Sequence, residues 1–437
     1  MKLRTLPLCL AMALAFAGTA QAQSLLQIYE AAKSHDATYK AARAQYEASL
    51  AKADQAKSAL LPTAGLGYNV SRTDLGFEDY PSRDYAFNTK VGTVSASQPL
   101  YRPANLASYR QGQKSGALAQ VQLDAAEQDL IVRLSQAYFD VLSSAESLTF
   151  VQAQKKAVAE QLASAKRNFE VGTSTITDSR EAQARFDLVT AQEIAAENDL
   201  RVKKLALDQL SGLTNAQPQA LSRVNALQAV EPGDVEKWVS QSQTQNPGVL
   251  QSNIALDVAR LETEKAKAAH QPTVDLTASY AQTRYQNPST SQFNTNSATV
   301  GIAVNLPLFA GFASENRIRE AVALEEKARN DKEAAERNVA QATRTAFFGV
   351  QSGLSQVKAL EAAEASSQSA LDANKLGYQV GVRINIDVLN SQSQLFDTKA
   401  KLAKARYDVL VGQLKLRQAS GTLKSDDLQN INSLLQK

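Results

Sequence analysis

A single cysteine, Cys9, sits near the start of the 437 residues, inside a stretch that reads as an export signal. The mature chain therefore has no cysteine, which excludes disulfides, thiol catalysis and Cys-ligated zinc. Only two histidines occur, His35 and His270, far apart and without a ligand pattern. No stretch approaches the ~20 apolar residues of a membrane helix, so entry into a membrane requires a β-barrel. Neither charge sign dominates. Forty-seven basic and 44 acidic residues give +3, and removing Lys2 and Arg4 leaves +1. No polyanion, and so no nucleic acid, is implied as partner. The chain carries no P-loop, dinucleotide fingerprint, catalytic triad or metal motif. We expect no enzyme, no cofactor and no metal.

Residues 1–22 have the layout of a signal peptide. Lys2 and Arg4 precede an apolar run from Leu6 to Phe16, and Ala20-Gln21-Ala22 forms a small-x-small cleavage site. The expected mature start is Gln23, exported by a Gram-negative-type cell. Gln23 is not a cysteine, which argues against a lipoprotein.

The second half of the chain repeats the first. Phe169-Glu170-Val171-Gly172 returns as Tyr378-Gln379-Val380-Gly381, Ala137-Tyr138-Phe139 as Ala346-Phe347-Phe348, and Leu210-Ser211-Gly212 as Gln418-Ala419-Ser420-Gly421. The offset stays between 208 and 210, the mark of one structural unit used twice. We expect repeats over 23–213 and 235–423, a linker over 214–234 and a tail over 424–437.

Each copy opens on a helix, 24–59 in the first, stopped by Pro62. The period then changes to two. Ala64, Leu66, Tyr68 and Val70 alternate with Thr63, Gly65, Gly67, Asn69 and Ser71, and Val274, Leu276, Ala278 and Tyr280 with Thr273, Asp275, Thr277 and Ser279. Polar loops over 74–86 and 285–294 follow, with Pro81 and Pro288, and a strand returns after each. Strands are expected at about 63–73, 87–99, 273–284 and 295–306. Their length suits an outer membrane, which takes ~9–11 residues. Tyr68, Tyr80, Tyr85, Tyr280, Tyr285 and Phe293 fit an interfacial girdle.

Very long helices follow. Asn105 to Asn168 contains no proline, and apolar residues such as Leu130, Leu134, Tyr138, Val141, Leu148 and Val151 recur at three, four or seven. That is a coiled-coil pattern, ~96 Å long at ~1.5 Å per residue. Ala313 to Leu376 repeats it. Val171-Gly172-Thr173 and Val380-Gly381-Val382 turn the chain back. Trp238 matches Ile28 of the first copy and reads as a core residue. Four strands per chain cannot close a barrel, and lipid does not tolerate an open edge. Two chains would supply eight strands and three would supply twelve. The abundance of Ser, Gln, Ala and Asn on the helices suits a second, helical tube with a polar interior. A coiled-coil envelope protein without transport is the alternative, which the alternating strands disfavour.

Leu60-Leu61-Pro62, Gln152-Ala153-Gln154-Lys155, Val171-Gly172, Ile176-Thr177-Asp178, Asp387-Val388-Leu389, Ala405-Arg406-Tyr407 and Gly421-Thr422-Leu423 carry a more specific signal. With them the mature chain resembles, almost end to end, the TolC family of outer-membrane channel-tunnels, the outer membrane efflux proteins of type I secretion and multidrug efflux. The resemblance implies an α+β membrane protein: a homotrimer with a 12-stranded β-barrel, four strands per chain, continued by a long periplasmic α-helical barrel. It implies a passive exit duct that serves a periplasmic adaptor (membrane fusion) protein and an inner-membrane ABC, RND or MFS transporter.

The same resemblance implies a periplasmic gate. Tyr378 and Arg383 of the second repeat match positions bonded to Thr177 and Asp178 of the first; the residues alone, without the resemblance, read Asp178 as a cap of the returning helix. It also implies a constriction lined by two acidic rings one helical turn apart. Asp387 matches the first, but Asn390 stands at the second, a departure expected to weaken the field. The hairpin turns at Gly172 and Gly381 match the end that meets the adaptor.

Overall fold

A computed structural model describes residues 23–76, 78, 85–220, 222, 227, 229–286 and 293–434. The expected signal peptide and the loop residues Tyr80, Pro81 and Pro288 lie outside the described residues, and the side chains of Tyr85 and Phe293 are outside them too. Among the described residues no helix is long and apolar enough to cross a membrane.

The opening segment forms two helices, not the single one expected over 24–59. Helix α1 (Leu25–His35) starts with a capping box between Ser24 and Gln27 and buries Leu25, Ile28, Tyr29 and Ala32, one face of a 3.6-residue period. The chain breaks at Asp36, and α2 (Ala37–Ser58) follows. The apolar period runs across the break, but the Asp36 carboxylate accepts the Tyr39 amide at 2.6 Å and a guanidinium N–H of Arg133 at 3.3 Å. A side-chain acceptor there restarts the helix as a cap. The second copy breaks in the same way, at Asn246, between α5 (Val235–Gln245) and α6 (Pro247–Lys267). Asn246 Oδ1 accepts the Gly248 amide at 2.8 Å, and proline suits the first helical position.

Each break packs on a glycine. Gly212 has φ +71 and its missing Cβ would strike the His35 ring. Gly421, φ +77, would strike the Gln245 carbonyl. Both cap the long helices' return partners, α4 (Ile176–Ser211) and α8 (Asn385–Ser420), in the left-handed conformation.

The strands are β1 (Thr63–Leu75), β2 (Tyr85–Tyr101), β3 (Thr273–Gln286) and β4 (Phe293–Asn305), one antiparallel sheet in the order β1-β2-β3-β4. β2 and β3, from different repeats, pair along most of their length, from Asn88 opposite Gln286 to Tyr101 opposite Val274. The register gathers Leu66, Tyr68, Val94, Leu276, Val300 and Ile302 on one face. Leu66 lies opposite Val94, Val94 opposite Tyr280, Ala278 opposite Val300, and Leu276 opposite Ile302. Leu66 is 82% exposed, Val300 75% and Ile302 66%. The other face carries Thr93, Ser95, Ser97, Thr277, Ser279, Ser297 and Thr299, and toward the loops Phe87, Val91 and Tyr285, so the expected girdle is split: Tyr68 and Tyr280 share one face and Tyr285 lies on the other. Tyr68 covers Gly92, its cross-strand partner. Arg102 holds Asp275, at the foot of β3, through two nitrogens at 2.7 and 2.6 Å.

Helix α3 (Pro103–Glu170) follows β2, and α7 (Ala313–Gln379) follows β4; the short α9 (Asp427–Asn432) closes the described chain. The chain divides into two compact units that cut across the repeats. One, Ala44–Gln122 with Leu250–Ala335, contains the sheet. The other joins residues up to Arg43, Leu123–Val249 and Glu336 onward.

The second unit has the larger core. Leu25, Ile28, Leu130, Leu134, Leu410, Leu414, Leu428 and Ile431 meet there, each worth ~1.5–3 kcal/mol when fully buried. Tyr138 is wholly buried and its hydroxyl donates to the Gln219 carbonyl at 3.1 Å. Phe139 stacks on Tyr407 at 5.6 Å. Trp238 is buried as expected, its indole N–H donating to the Pro232 carbonyl at 2.8 Å.

A polar cluster borders this core. Glu127 accepts the Tyr29 hydroxyl and the Lys33 ammonium, each at 2.7 Å. Burial works to raise the Glu127 pKa, but these two donors hold it below the ordinary value. Asp36 behaves alike, with burial opposed by the Tyr39 amide and Arg133. A carboxylate whose folded pKa is lowered stabilises the fold above its unfolded pKa, ~4, and loses that contribution as pH falls through the folded value. The melting temperature read from the helical signal should therefore fall below about pH 4. Glu127→Gln should lower stability at pH 7 and flatten the acid dependence; a slope as steep as wild type would contradict this account.

Candidate functional site

Two hairpin turns frame the expected gate. At the first, Gly172 has φ +76 and the Thr173 amide closes on the Asn168 carbonyl at 2.8 Å. At the second, Gly381 has φ +80 and the Val382 amide closes on Gly377 at 2.9 Å. The turns have the same shape but different caps. α4 starts with a capping box in which Thr175 and Asp178 satisfy each other's amides. The N-cap of α8, Ile384, has no side-chain acceptor.

Asp178 and Asp387 occupy the same position, the third residue of α4 and of α8. The Asp178 carboxylate accepts the Ser174 hydroxyl at 2.7 Å, the Thr175 hydroxyl at 2.8 Å and the Thr175 amide at 3.0 Å. The Ser174 bond is the main reason its pKa is lowered, and burial opposes the shift. Asp387 is not engaged in a cap. Its carboxylate lies 3.7 Å from Arg383, one turn before it. Of two equivalent acids, one builds its hairpin and the other stays available.

The remaining expected residues fall as follows. Thr177 is exposed at the start of α4. Tyr378 is half-buried, and its hydroxyl accepts from Asn168 at 3.4 Å. Within this chain the Tyr378 hydroxyl thus meets Asn168, and the Asp178 carboxylate meets its own hairpin. The second hairpin nevertheless touches the first, because the Asn385 amide donates to the Asp178 carbonyl at 3.4 Å. Asn390 is exposed and accepts a guanidinium N–H of Arg185, from α4, at 2.8 Å.

Several of these partners escaped the sequence reading. Asn385 is 1% exposed and pairs with Gln161; Gln154 bonds Ser393 at 3.2 Å. Gln154, Gln161 and Asn168 stand at steps of seven along α3, so a polar heptad row runs beside the apolar one. That spacing was the available signal. Leu389 anchors α8 beneath it, buried with Val158, Leu162, Ala182 and Val189. Among the described residues no cluster of His, Cys, Asp or Glu is arranged to hold a metal.

A four-stranded sheet that gathers most of its large apolar side chains on one face, in a chain of long helical hairpins, defines a class: outer-membrane channels with a periplasmic helical extension. The family model described as "Outer membrane efflux protein" matches residues 28–213 and 238–422. The chain is 33% identical over 436 residues to outer membrane protein TolC of Vibrio cholerae, covering 98% of each chain. It is 30% identical to the alkaline protease secretion protein AprF of Pseudomonas aeruginosa, covering 93% of this chain and 86% of that one. Among solved structures, CusC superposes with a TM-score of 0.81 at 18% identity, over 92% of each chain. This chain belongs to the outer membrane efflux protein family. It resides in the outer membrane of a Gram-negative cell and extends into the periplasm.

Proposed function

We propose that three copies of this chain close one 12-stranded barrel and form the exit duct through which a pump and its adaptor expel cargo. The single observation that carries the reading is the sheet. Its four strands gather Leu66, Val94, Leu276, Val300 and Ile302 on one face, yet β1 and β4 each have a neighbour on one side only. In lipid, unpaired backbone groups cost several kcal/mol each, so the edges need partners. A second copy supplies them, β4 of one against β1 of the next. Three copies give a barrel wide enough for a lumen, lined by the Ser and Thr face.

The hairpins at Gly172 and Gly381 form the end that meets a periplasmic adaptor protein. The adaptor links the duct to an inner-membrane transporter of ABC, RND or MFS type. The duct is passive and catalyses nothing. A relative that serves alkaline protease secretion supports protein cargo, and the family's efflux role supports small toxic compounds. Thr177, Asp178, Tyr378 and Arg383 act as the gate, and Asp387 with Asn390 as the constriction ring.

Two measurements test the reading. Purified protein should run as a heat-stable trimer and conduct in planar bilayers. An epitope at Ser82 or Ser289, both outside the described residues, should be labelled on intact cells, whereas one at Gln219 should be reached only after the outer membrane is broken. The reverse labelling would invert the chain and remove the barrel, tunnel and gate together. Trimers that never conduct would favour the coiled-coil envelope protein.

A further inference from the structure

The constriction carries more positive charge than its expected acidic residues suggest. Arg185 lies on α4, outside the second hairpin, and its Nη2 donates to Asn390 Oδ1 at 2.8 Å. Asn390 follows Asp387 by three residues on α8, ~4.5 Å along the axis, at the level where the family's second acid belongs. Arg185 therefore bonds a neutral amide at that level, and among the described residues it makes no ion pair. Of the acids of its own helix, Asp187 accepts Gln183 at 3.0 Å, and Glu181, one turn before Arg185, is not among its ion-pair partners in the described residues. One level away, Asp387 has Arg383 3.7 Å off. Each of the two ring positions thus has a guanidinium beside it, Arg383 at Asp387 and Arg185 at Asn390.

We propose that Arg185 is a selectivity residue of the duct: it turns the second level of the constriction cationic, so the ring admits anionic solutes and binds multivalent cations weakly. This rests on reading Asp387 and Asn390 as the constriction. Rings of acidic side chains favour cations and rings of arginine favour anions, and a narrow, low-dielectric passage focuses the field of either. A symmetric assembly repeats the Arg185 charge in every subunit at one height. The second level then opposes the Asp387 ring, where a second acid would reinforce it. Cargo that profits is of a definite chemical class: carboxylate- or phosphate-bearing small molecules and polypeptides of net negative charge.

The test is electrical. Wild-type trimers, Arg185→Gln and Arg185→Lys are compared in planar bilayers by reversal potential in a KCl gradient and by block with lanthanum(III). Low ionic strength is required, because the Debye length is only ~8 Å at physiological salt. Arg185→Gln keeps a donor for Asn390 and removes the charge. It should move the reversal potential toward cation selectivity and lower the half-blocking lanthanum concentration by on the order of ten-fold. Arg185→Lys should stay near wild type in both. Conducting Arg185→Gln trimers that match wild type in both readings would overturn the proposal while leaving the duct intact. Wild-type trimers that do not conduct would remove the duct and this inference with it. If Arg185→Gln does not assemble, Asn390→Asp replaces it: an added acid beside Arg185 should move both readings the same way, and no movement would again overturn the proposal.

Discussion

Tyr378→Phe combined with Arg383→Ser is expected to raise the single-channel conductance of the trimer several-fold. The Tyr378 hydroxyl accepts from Asn168 in the structure, which leaves its proton free to be donated to a carboxylate. Arg383 has one nitrogen 3.7 Å from Asp387 and further N–H groups for a Thr oxygen. In our reading, Thr177 and Asp178 take these donors when the duct is shut. A hydrogen bond to an ionised group is worth ~1.5–3 kcal/mol, the lower figure where solvent reaches it. Three symmetric copies sum to several kcal/mol, comparable to the ~5.5 kcal/mol that carries a two-state gate from mostly shut to mostly open. Both substitutions remove donors and leave the apolar seams around Leu389 and Leu371 untouched. Unchanged conductance in the double variant would sink the gate assignment.

Neighbouring residues on β4 should respond in opposite ways to the same substitution. Val300→Arg places a charge on the apolar face near mid-strand, where outer-membrane barrels pay ~2–4 kcal/mol for arginine at the midplane. Repeated in three subunits, that cost should abolish heat-stable trimers in outer-membrane fractions. Thr299→Arg, one residue earlier, points to the other face because side chains alternate along a strand. It should assemble normally and alter conductance and ion preference. If both variants assemble, or neither does, the division into lipid and lumen faces is wrong.

The alternation that supports this contrast was readable in the bare sequence, since Val274, Leu276, Ala278 and Tyr280 keep strict period two. The partnership between β2 and β3 was not. Local periodicity says which residues share a face and nothing about which strand lies beside which, and these two are separated by the helices α3 to α6. The heptads of α3 and the hairpin glycines were legible because geometry repeats there. The breaks at Asp36 and Asn246 were hidden under an apolar period that continues across them, although an Asx residue, followed in one copy by proline, marked each. Asp178 and Asp387 look equivalent in sequence. Their different roles depend on whether Thr175 or Ile384 precedes the helix: capping was the alternative reading of Asp178 in the sequence, and the hairpins show it there and not at Asp387. Arg185 left no trace in pattern or spacing, because its significance comes from a contact between helices of different repeats.

The pairing of β2 with β3 also fixes a sequence of events. β2 ends at Tyr101 and β3 begins at Thr273, so the first hairpin leaves the export machinery long before its neighbour exists. Until then one side of β2 stays unpaired, a template for the wrong strand. Such distant pairings form late and slowly. The helices α3 to α6 are made in that interval and can complete local structure before β3 arrives. The sheet is thus finished only after helices of the first repeat have begun to fold, and until the second repeat arrives the free side of β2 is an edge open to pairing with other copies.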